Sequence, residues 1–326
     1  MEQITDLKVL YPSLKIIIVT IASALYTYFL IFNFLPIFRK YSLIYPNERS
    51  IHKNPTPSGI GIIFAKVGTI SSIICNNYLP LICLPISIIG LIDDISNMPI
   101  KRRFIIHCLT ILTIMGLSSL NSYLLNTFNI IIYLIIFFIV FLIGISAINF
   151  VNFADGSDGL LGGCMLIIFT MTALFYDPSI WPFVGIISIF LKFNWHPAKL
   201  FMGDAGSTFL GGIFVTILLN AENLNAFFSI LLLGTPIFSD TCFCVIRRLL
   251  SGQHIFKPHR LHLFQRLHLA GVNQRIIALS YSFASIVISL SLLTGGLKAE
   301  FFVSIIVVIV ALIIDKKFAK KFSLIN

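Results

Sequence analysis

Residues 130–159 read IIIYLIIFFIVFLIGISAINFVNFADGSDG, with no charged side chain before Asp155. A helix needs about 20 apolar residues to cross the hydrocarbon core of a bilayer. The run from 130 to 148 meets that length, and the acids Asp155 and Asp158 arrive just beyond it. An aspartate inside a span costs roughly 2.5–3.5 kcal/mol at the centre and less near the boundary. The stretch therefore reads as a membrane helix that delivers carboxylates to one face of the bilayer.

The same pattern extends along the chain. Of 326 residues, 57% are hydrophobic and only 11% are charged, whereas a soluble protein would carry about 25% charged residues. Apolar periodicity and length predict helices near 16–38, 59–75, 78–92, 104–120, 130–148, 161–176, 181–193, 208–220, 225–243, 276–296 and 300–314. The first block is too long for a signal peptide and has no small-residue cleavage site, so it reads as a retained helix. The expected fold is all-α, a polytopic integral membrane helical bundle of about 10–11 transmembrane helices. It forms a single integral membrane domain over residues 1–326.

Charge sets the expected orientation. With the N-terminus outside, 19 of the 23 lysines and arginines fall in inside loops, against Lys8, Lys15 and Lys298 outside. The positive-inside rule then places the C-terminus in the cytoplasm. The net charge of +10 is spread over short loops, which excludes a nucleic-acid-binding domain. The six cysteines read as small apolar fillers, with no CxxC pair and no zinc spacing to a histidine.

Four segments carry chemistry. In GLIDDISNMPIKRR, Asp93 and Asp94 repel each other at a helix end unless a cation lies near, and Mg²⁺ suits such a pair. Lys101, Arg102 and Arg103 follow and can take phosphate oxygens. In NFVNFADGSDG, Asp155 and Asp158 share a face if helical, Asn149 and Asn152 can ligate or orient, and Gly156 and Gly159 allow close backbone approach. In NWHPAKLFMGDAGS, Asp204 sits between Gly203 and Gly206 in a stretch that reads as a phosphate-cradling nest ahead of a helix from Ser207. His196 reads as structural. In PHRLHLFQRL, His259, His262 and Arg266 line one face if helical and can hold a diphosphate or sugar hydroxyls. A zinc reading of the two histidines lacks a third ligand at helical spacing. The polar loop 247–275 that contains them is long enough for a lid or short helical hairpin and reads as a cytoplasmic substrate-recognition loop. An earlier segment, NERSIHKNPTPSGIG from Asn47 to Gly61 with His52 in it, reads as a structured turn.

In this order and on one side, these segments resemble the polyprenyl-phosphate N-acetylhexosamine-1-phosphate transferases, the glycosyltransferase family 4 enzymes that start O-antigen and common-antigen chains. Phospho-N-acetylmuramoyl-pentapeptide transferase is a more distant relative. The specific part is NxxNxxDGxDGL followed by NxxPAKxFMGDxGS. The resemblance implies transfer of an N-acetylhexosamine 1-phosphate from a UDP-sugar to undecaprenyl phosphate with Mg²⁺ or Mn²⁺, giving UMP. It implies catalytic roles for Asp93, Asp94, Asp155 and Asp158, and a metal site at Asp204 with Asp155. It implies substrate contacts from Lys101, Asn152, Asn194, His259, His262 and Arg266. Asp93 or Asp94 then either removes a residual proton from the lipid phosphate or forms an aspartyl-phosphate.

The early loop departs from the family's TP-x-GGG, since Ser58, Gly59, Ile60 and Gly61 follow Pro57. The histidine segment is not triple-histidine, which argues against a muramoyl-pentapeptide substrate. It looks more like the subgroup handling UDP-QuiNAc or UDP-FucNAc, with GlcNAc also open. Expected partners are the UDP-amino-sugar, undecaprenyl phosphate and the bilayer, with a homodimer allowed. The expected location is the bacterial inner membrane, with the site facing the cytoplasm and serving lipopolysaccharide or other cell-surface glycan synthesis. The rival classes are an aspartate-rich intramembrane prenyltransferase, which lacks a reason for MGDAGS, and an anion transporter, which would place charges in broken spans of related halves.

Overall fold

Backbone N–H and C=O groups inside hydrocarbon must pair within the protein, which leaves helices as the economical way for such apolar segments to cross. The computed structural model describes residues 11–45, 55–96, 98–253 and 259–322. Lys8, His52 and residues 254–258 of the polar loop lie outside the described residues.

Among the described residues the helices are α1 Leu14–Tyr41, α2 Gly61–Ile74, α3 Leu84–Ser96, α4 Ile100–Leu117, α5 Ser119–Thr127, α6 Ile130–Ala154 and α7 Leu160–Phe175. They continue with α8 Trp181–Asn194, α9 Gly203–Leu219, α10 Leu224–Leu233, α11 Thr235–Leu250, α12 Leu263–Leu269 and α13 Gln274–Phe318. Two short strands, β1 Leu43–Ile44 and β2 Thr56–Pro57, pair antiparallel with Leu43 opposite Pro57. The described part of the Asn47–Gly61 segment is thus a turn with order, and Pro57 O accepts from Phe201 N–H at 2.8 Å.

The expected all-α, polytopic membrane architecture is what the structure shows. By length and apolarity, α1, Leu79–Ser96, α6 and α13 each suffice to span a membrane. Two further spans are bent pairs, α4–α5 at 63° and α10–α11 at 76°. The 45-residue α13 is two antiparallel limbs. Gly296 breaks the helix with φ 63° and ψ −158°, a conformation that glycine adopts without a Cβ penalty. Asp315 thereby returns to pair with Arg266, just ahead of the first limb. The two sequence-predicted spans at 276–296 and 300–314 are these limbs. The apolar helices α2, α7, α8 and α9 are shorter, so the described residues hold four helices long enough to cross a membrane, or six with each bent pair taken as one span, against the 10–11 expected.

Caps fix where helices begin. Asn129 Oδ1 accepts from Ile132 N–H at 3.0 Å to start α6, a contact of about 1 kcal/mol. The outer face of α6 exposes Ile131, Leu134, Ile135, Phe138 and Leu142, as lipid contact requires. The opposite extreme is α9, buried along nearly its whole length among α2, α3 and α6. A helix apolar all round belongs in the interior.

α3 crosses α9 at Gly90. A Cβ there would lie 2.6 Å from Asp204 and Ala205 backbone atoms, which cannot move aside as a flexible side chain can. Gly90→Val is expected to lower the melting temperature of the detergent-purified protein, through an overpacking cost of about 1–3 kcal/mol. An unchanged melting curve would contradict this crossing.

Candidate active site at one end of the bundle

The ends of α3, α6 and α8 and the starts of α4, α7 and α9 meet at one end of the bundle. Asp94, Asn152, Asp155, Asp158, Asn194 and Asp204 line a single cavity there of about 250 Å³, together with Ser58 and Gln265. A larger cavity of about 440 Å³ lies between α11, α12 and α13 and is almost wholly apolar. Its carboxylates, Asp240 and Asp315, are already taken up by protein partners. The smaller, polar cavity is the candidate active site.

Asp94 caps α9. Its Oδ1 accepts from Asp204 N–H at 2.9 Å and its Oδ2 from Ala205 N–H at 3.2 Å. A carboxylate at a helix N-terminus satisfies orphan donors and opposes the helix dipole. This corrects the sequence reading of a glycine nest before a helix from Ser207. The helix already begins at Gly203, and the backbone donors expected to cradle a phosphate serve Asp94. Gly203 has φ +68°, and a Cβ on it would collide with Asp94 Oδ2 and lie 2.7 Å from Gly59 N. Gly59 therefore keeps its close approach although Ser58 departs from the family's glycine run.

Arg103 joins two acids, with Nη1 on Asp93 and Nη2 on Asp204 at 2.6 Å. Asp93 also accepts from Met98 N–H. Asn152 completes the bridge in the amide orientation that matches donors to acceptors. Its nitrogen then donates to Asp204 Oδ1 at 3.1 Å and Ser207 Oγ at 2.8 Å, and its oxygen accepts from Arg103 at 3.1 Å. Lys101, the basic residue expected here, is exposed on the first turn of α4. Two residues along a helix turn a side chain by roughly 200°, so Arg103 faces the acids and Lys101 faces away.

Asp158 is tied to the loop after α8. Its Oδ2 meets His196 Nδ1 at 2.7 Å and accepts from Ala198 N–H at 3.0 Å. His196 is thus a partner of a site acid as well as a structural residue. Asn194 Oδ1 accepts from Gly159 N–H at 3.0 Å, while Nδ2 donates to Leu200 O at 3.0 Å. It lines the cavity, yet its amide fastens two loops. Gln274 adds a contact that sequence reading missed, accepting from Asp158 N–H at 3.2 Å.

Among the described residues, no donor reaches the Asp155 carboxylate. Burial, and then the charges of Asp204, Asp94 and Asp158, hold it well above the ordinary value of 3.8. A donor-poor set of carboxylates fits a hard divalent cation such as Mg²⁺, which takes one or two carboxylates and substrate oxygens. Asp155 is the carboxylate without a donor, and Asp204, held by the side chains of Arg103 and Asn152 rather than by backbone, is the second candidate ligand, since Asp94 and Asp158 are engaged by backbone.

The histidine segment is arranged differently from expectation. α12 begins at Leu263, so His259 and His262 precede it and do not share a helical face with Arg266. Arg266 is 3% exposed and points away from the acids, donating to Leu261 O and Lys320 O at 3.0 Å each and pairing with Asp315. Burial, with Arg248 and Arg266 nearby, pushes His262 down to about 4. Burial, His262 and Arg248 push His259 down to about 3. Both rings are neutral at neutral pH, so the segment is less basic than its sequence suggests. Gln265 is the residue of α12 that lines the acidic cavity.

These features define a polytopic membrane protein with a carboxylate-rich site at one end of its bundle. Residues 77–222 match glycosyl transferase family 4. This segment spans α3 to α9 and contains Asp93, Asp94, Asp155, Asp158 and Asp204. The resemblance read from the motifs is therefore shown over these residues, which make up somewhat less than half of the chain.

A Bacillus subtilis (strain 168) protein named "Probable undecaprenyl-phosphate N-acetylglucosaminyl 1-phosphate transferase" is 36% identical over 142 residues, 42% of this chain and 39% of that one. The undecaprenyl-phosphate alpha-N-acetylglucosaminyl 1-phosphate transferase of Pasteurella multocida is 31% identical over 138 residues, 39% of this chain and 37% of its own. A phospho-N-acetylmuramoyl-pentapeptide-transferase of Staphylococcus saprophyticus is 42% identical over 88 residues, 26% of each chain. The chain spans well under half the length of these relatives.

Two outcomes follow for the site. A carboxyl held high when folded binds its proton more tightly than when unfolded, so stability falls as pH rises from the ordinary value toward the raised one. Asp155→Asn is expected to melt higher than the native protein in mildly alkaline, metal-free buffer, and to lose that advantage in acid. Arg103→Met leaves Asp93 and Asp204 without their shared counter-ion. Its melting temperature is expected to rise more on adding Mg²⁺ than that of the native protein, and equal shifts would remove Arg103 from this role.

Proposed function

We propose that the protein transfers an N-acetylhexosamine 1-phosphate from a UDP-sugar to undecaprenyl phosphate, yielding the lipid-linked diphospho-sugar and UMP. The observation that carries this reading is the convergence of Asp94, Asp155, Asp158 and Asp204 on one cavity at the end of an apolar bundle. Such a place is open to a lipid arriving from the bilayer and a nucleotide arriving from water. The names of the Bacillus and Pasteurella relatives support the reaction class and favour N-acetylglucosamine as the first sugar to test. UDP-QuiNAc and UDP-FucNAc follow, in the service of O-antigen or a related surface glycan.

In this reading an oxygen of the lipid phosphate attacks the sugar-bearing phosphorus, and the bond to the uridine-bearing phosphate breaks as UMP leaves. The lipid phosphate has a second pKa near 6, so it is largely ionised and needs positioning more than deprotonation. Asp155 and Asp204 would hold Mg²⁺ or Mn²⁺, which would supply charge neutralisation to the diphosphate. Arg103, which pairs with Asp204 through Nη2, would be the cation to meet a phosphate oxygen. Asp94 holds the start of α9, and with it Asp204, in place. Asp93, bound by Arg103 and Met98 N–H, holds the arginine at the site and would take a residual proton only once Arg103 has moved. Gln265 of α12, which lines the cavity, would face the sugar.

The lysine and arginine bias supports a cytoplasmic position for this end of the bundle, in a bacterial inner membrane. Against a transporter, the bent spans break near Ser118 and Gly234, where the sequence carries no charged residue.

Asp204→Asn is expected to abolish butanol-extractable product from labelled UDP-N-acetylglucosamine and undecaprenyl phosphate while the protein still folds. EDTA is expected to do the same to the native enzyme, reversibly. Full activity of Asp204→Asn with purified lipid acceptor would sink the assignment.

A further inference from the structure

Outside the acidic cavity, α11 and the turn before α12 gather a second set of donors. The sulfur of Cys244 and one nitrogen each of His259 and His262 lie within 4.8 Å of one another. Cys244 is 3% exposed and His262 4%. His262 Nδ1 is buried with no hydrogen-bond partner, a cost of about 1–3 kcal/mol that a bound group would relieve. Phe264 stacks on the His262 ring at 5.5 Å, and Gln265 Oε1 accepts from the His262 backbone N–H at 3.3 Å, so the ring and its backbone are each held before any ligand arrives. His259 Nδ1 accepts from Leu261 N–H at 3.2 Å, a contact that metal binding through this nitrogen would replace.

We propose that Cys244, His259 and His262 form a binding site for a zinc-class divalent cation, separate from the carboxylate site. One thiolate and two imidazoles suit a borderline-soft ion, where the aspartates suit a hard one. Zinc bonds of about 2.0–2.3 Å place tetrahedral donors roughly 3.4 Å apart, so the three groups need to close by at most about 1.4 Å. The thiol proton goes to solvent as the sulfur–zinc bond forms. Arg248, one turn beyond Cys244, adds positive charge beside the set. The thiolate reduces the ion's net charge from two to one, which lessens that repulsion. A fourth position stays open for water or a substrate oxygen.

The site would staple the 259–269 segment to α11 beside a contact already present. Asp240 Oδ1 accepts from Leu263 N–H at 2.6 Å. Gln265 would thereby be held at the acidic cavity. Nothing in this inference depends on the transferase reading, because metal binding is measured without either substrate.

The test uses the full chain in detergent, purified through a tag without histidines. Mass spectrometry of metals is expected to find close to one zinc per chain. After chelation, Co²⁺ is expected to give a thiolate-to-cobalt charge-transfer band with tetrahedral ligand-field bands. Cys244→Ser is expected to lose the band and at least about tenfold in zinc affinity, while the exposed neighbour variant Cys242→Ser keeps both. If Cys244→Ser fails to fold, His259→Gln serves instead, and Zn²⁺ must protect Cys244 of the native protein from alkylation. Absence of the thiolate band in native protein, or unchanged affinity in the ligand variants, overturns the proposal.

Discussion

A helix that begins inside an apolar bundle brings unpaired N–H groups to a place where water cannot easily serve them. α9 is such a helix, and Asp94 is the answer to its first two donors. The rest of the site depends on this contact. It needs α3 to pass close by, which Gly90 permits, and it fixes the first turn of α9, which carries Asp204. A carboxylate used in this way is structural and electrostatic at once. It stabilises the helix start and adds negative charge to the cavity next to it.

The remaining acids show how an unfavourable gathering of like charges is sustained. Each has a particular neighbour: Arg103 and Met98 N–H for Asp93, Arg103 and Asn152 for Asp204, His196 and Ala198 N–H for Asp158. Asp155 has none among the described residues, and its raised proton affinity is the remainder of that imbalance. Sites that must accept a cation from solution cannot satisfy every carboxylate internally, because a fully satisfied set leaves no reason to bind.

The helices were legible because each apolar block has the length that a bilayer demands, and even the fold-back of α13 showed as two blocks separated by Gly295 and Gly296. The carboxylates were legible because an acid at the end of an apolar run is costly without a use. What the sequence hid was direction. KRR offers three cations, and only helical phase selects Arg103 over Lys101. The MGDAGS glycines suggest an anion cradle, but the anion present is Asp94, far away in sequence. His259, His262 and Arg266 fit a helical stripe on paper. The cap that Asp240 supplies starts α12 at Leu263 and separates them. Cys244 showed no zinc spacing because its histidines come from across a loop.

Arg266 has one further meaning. Of its three partners, Leu261 is local, while Asp315 and Lys320 belong to the last stretch of the chain. A membrane protein is made from its N-terminus onward, and its spans enter the bilayer in that order. The acids of α3, α6 and α9 are therefore together before the wall that carries Gln265 can be braced. The second limb of α13 has to be inserted and folded back first. The site is completed only by the second limb of α13, so a chain cut short before it during synthesis is left with its carboxylates assembled and their covering wall unbraced.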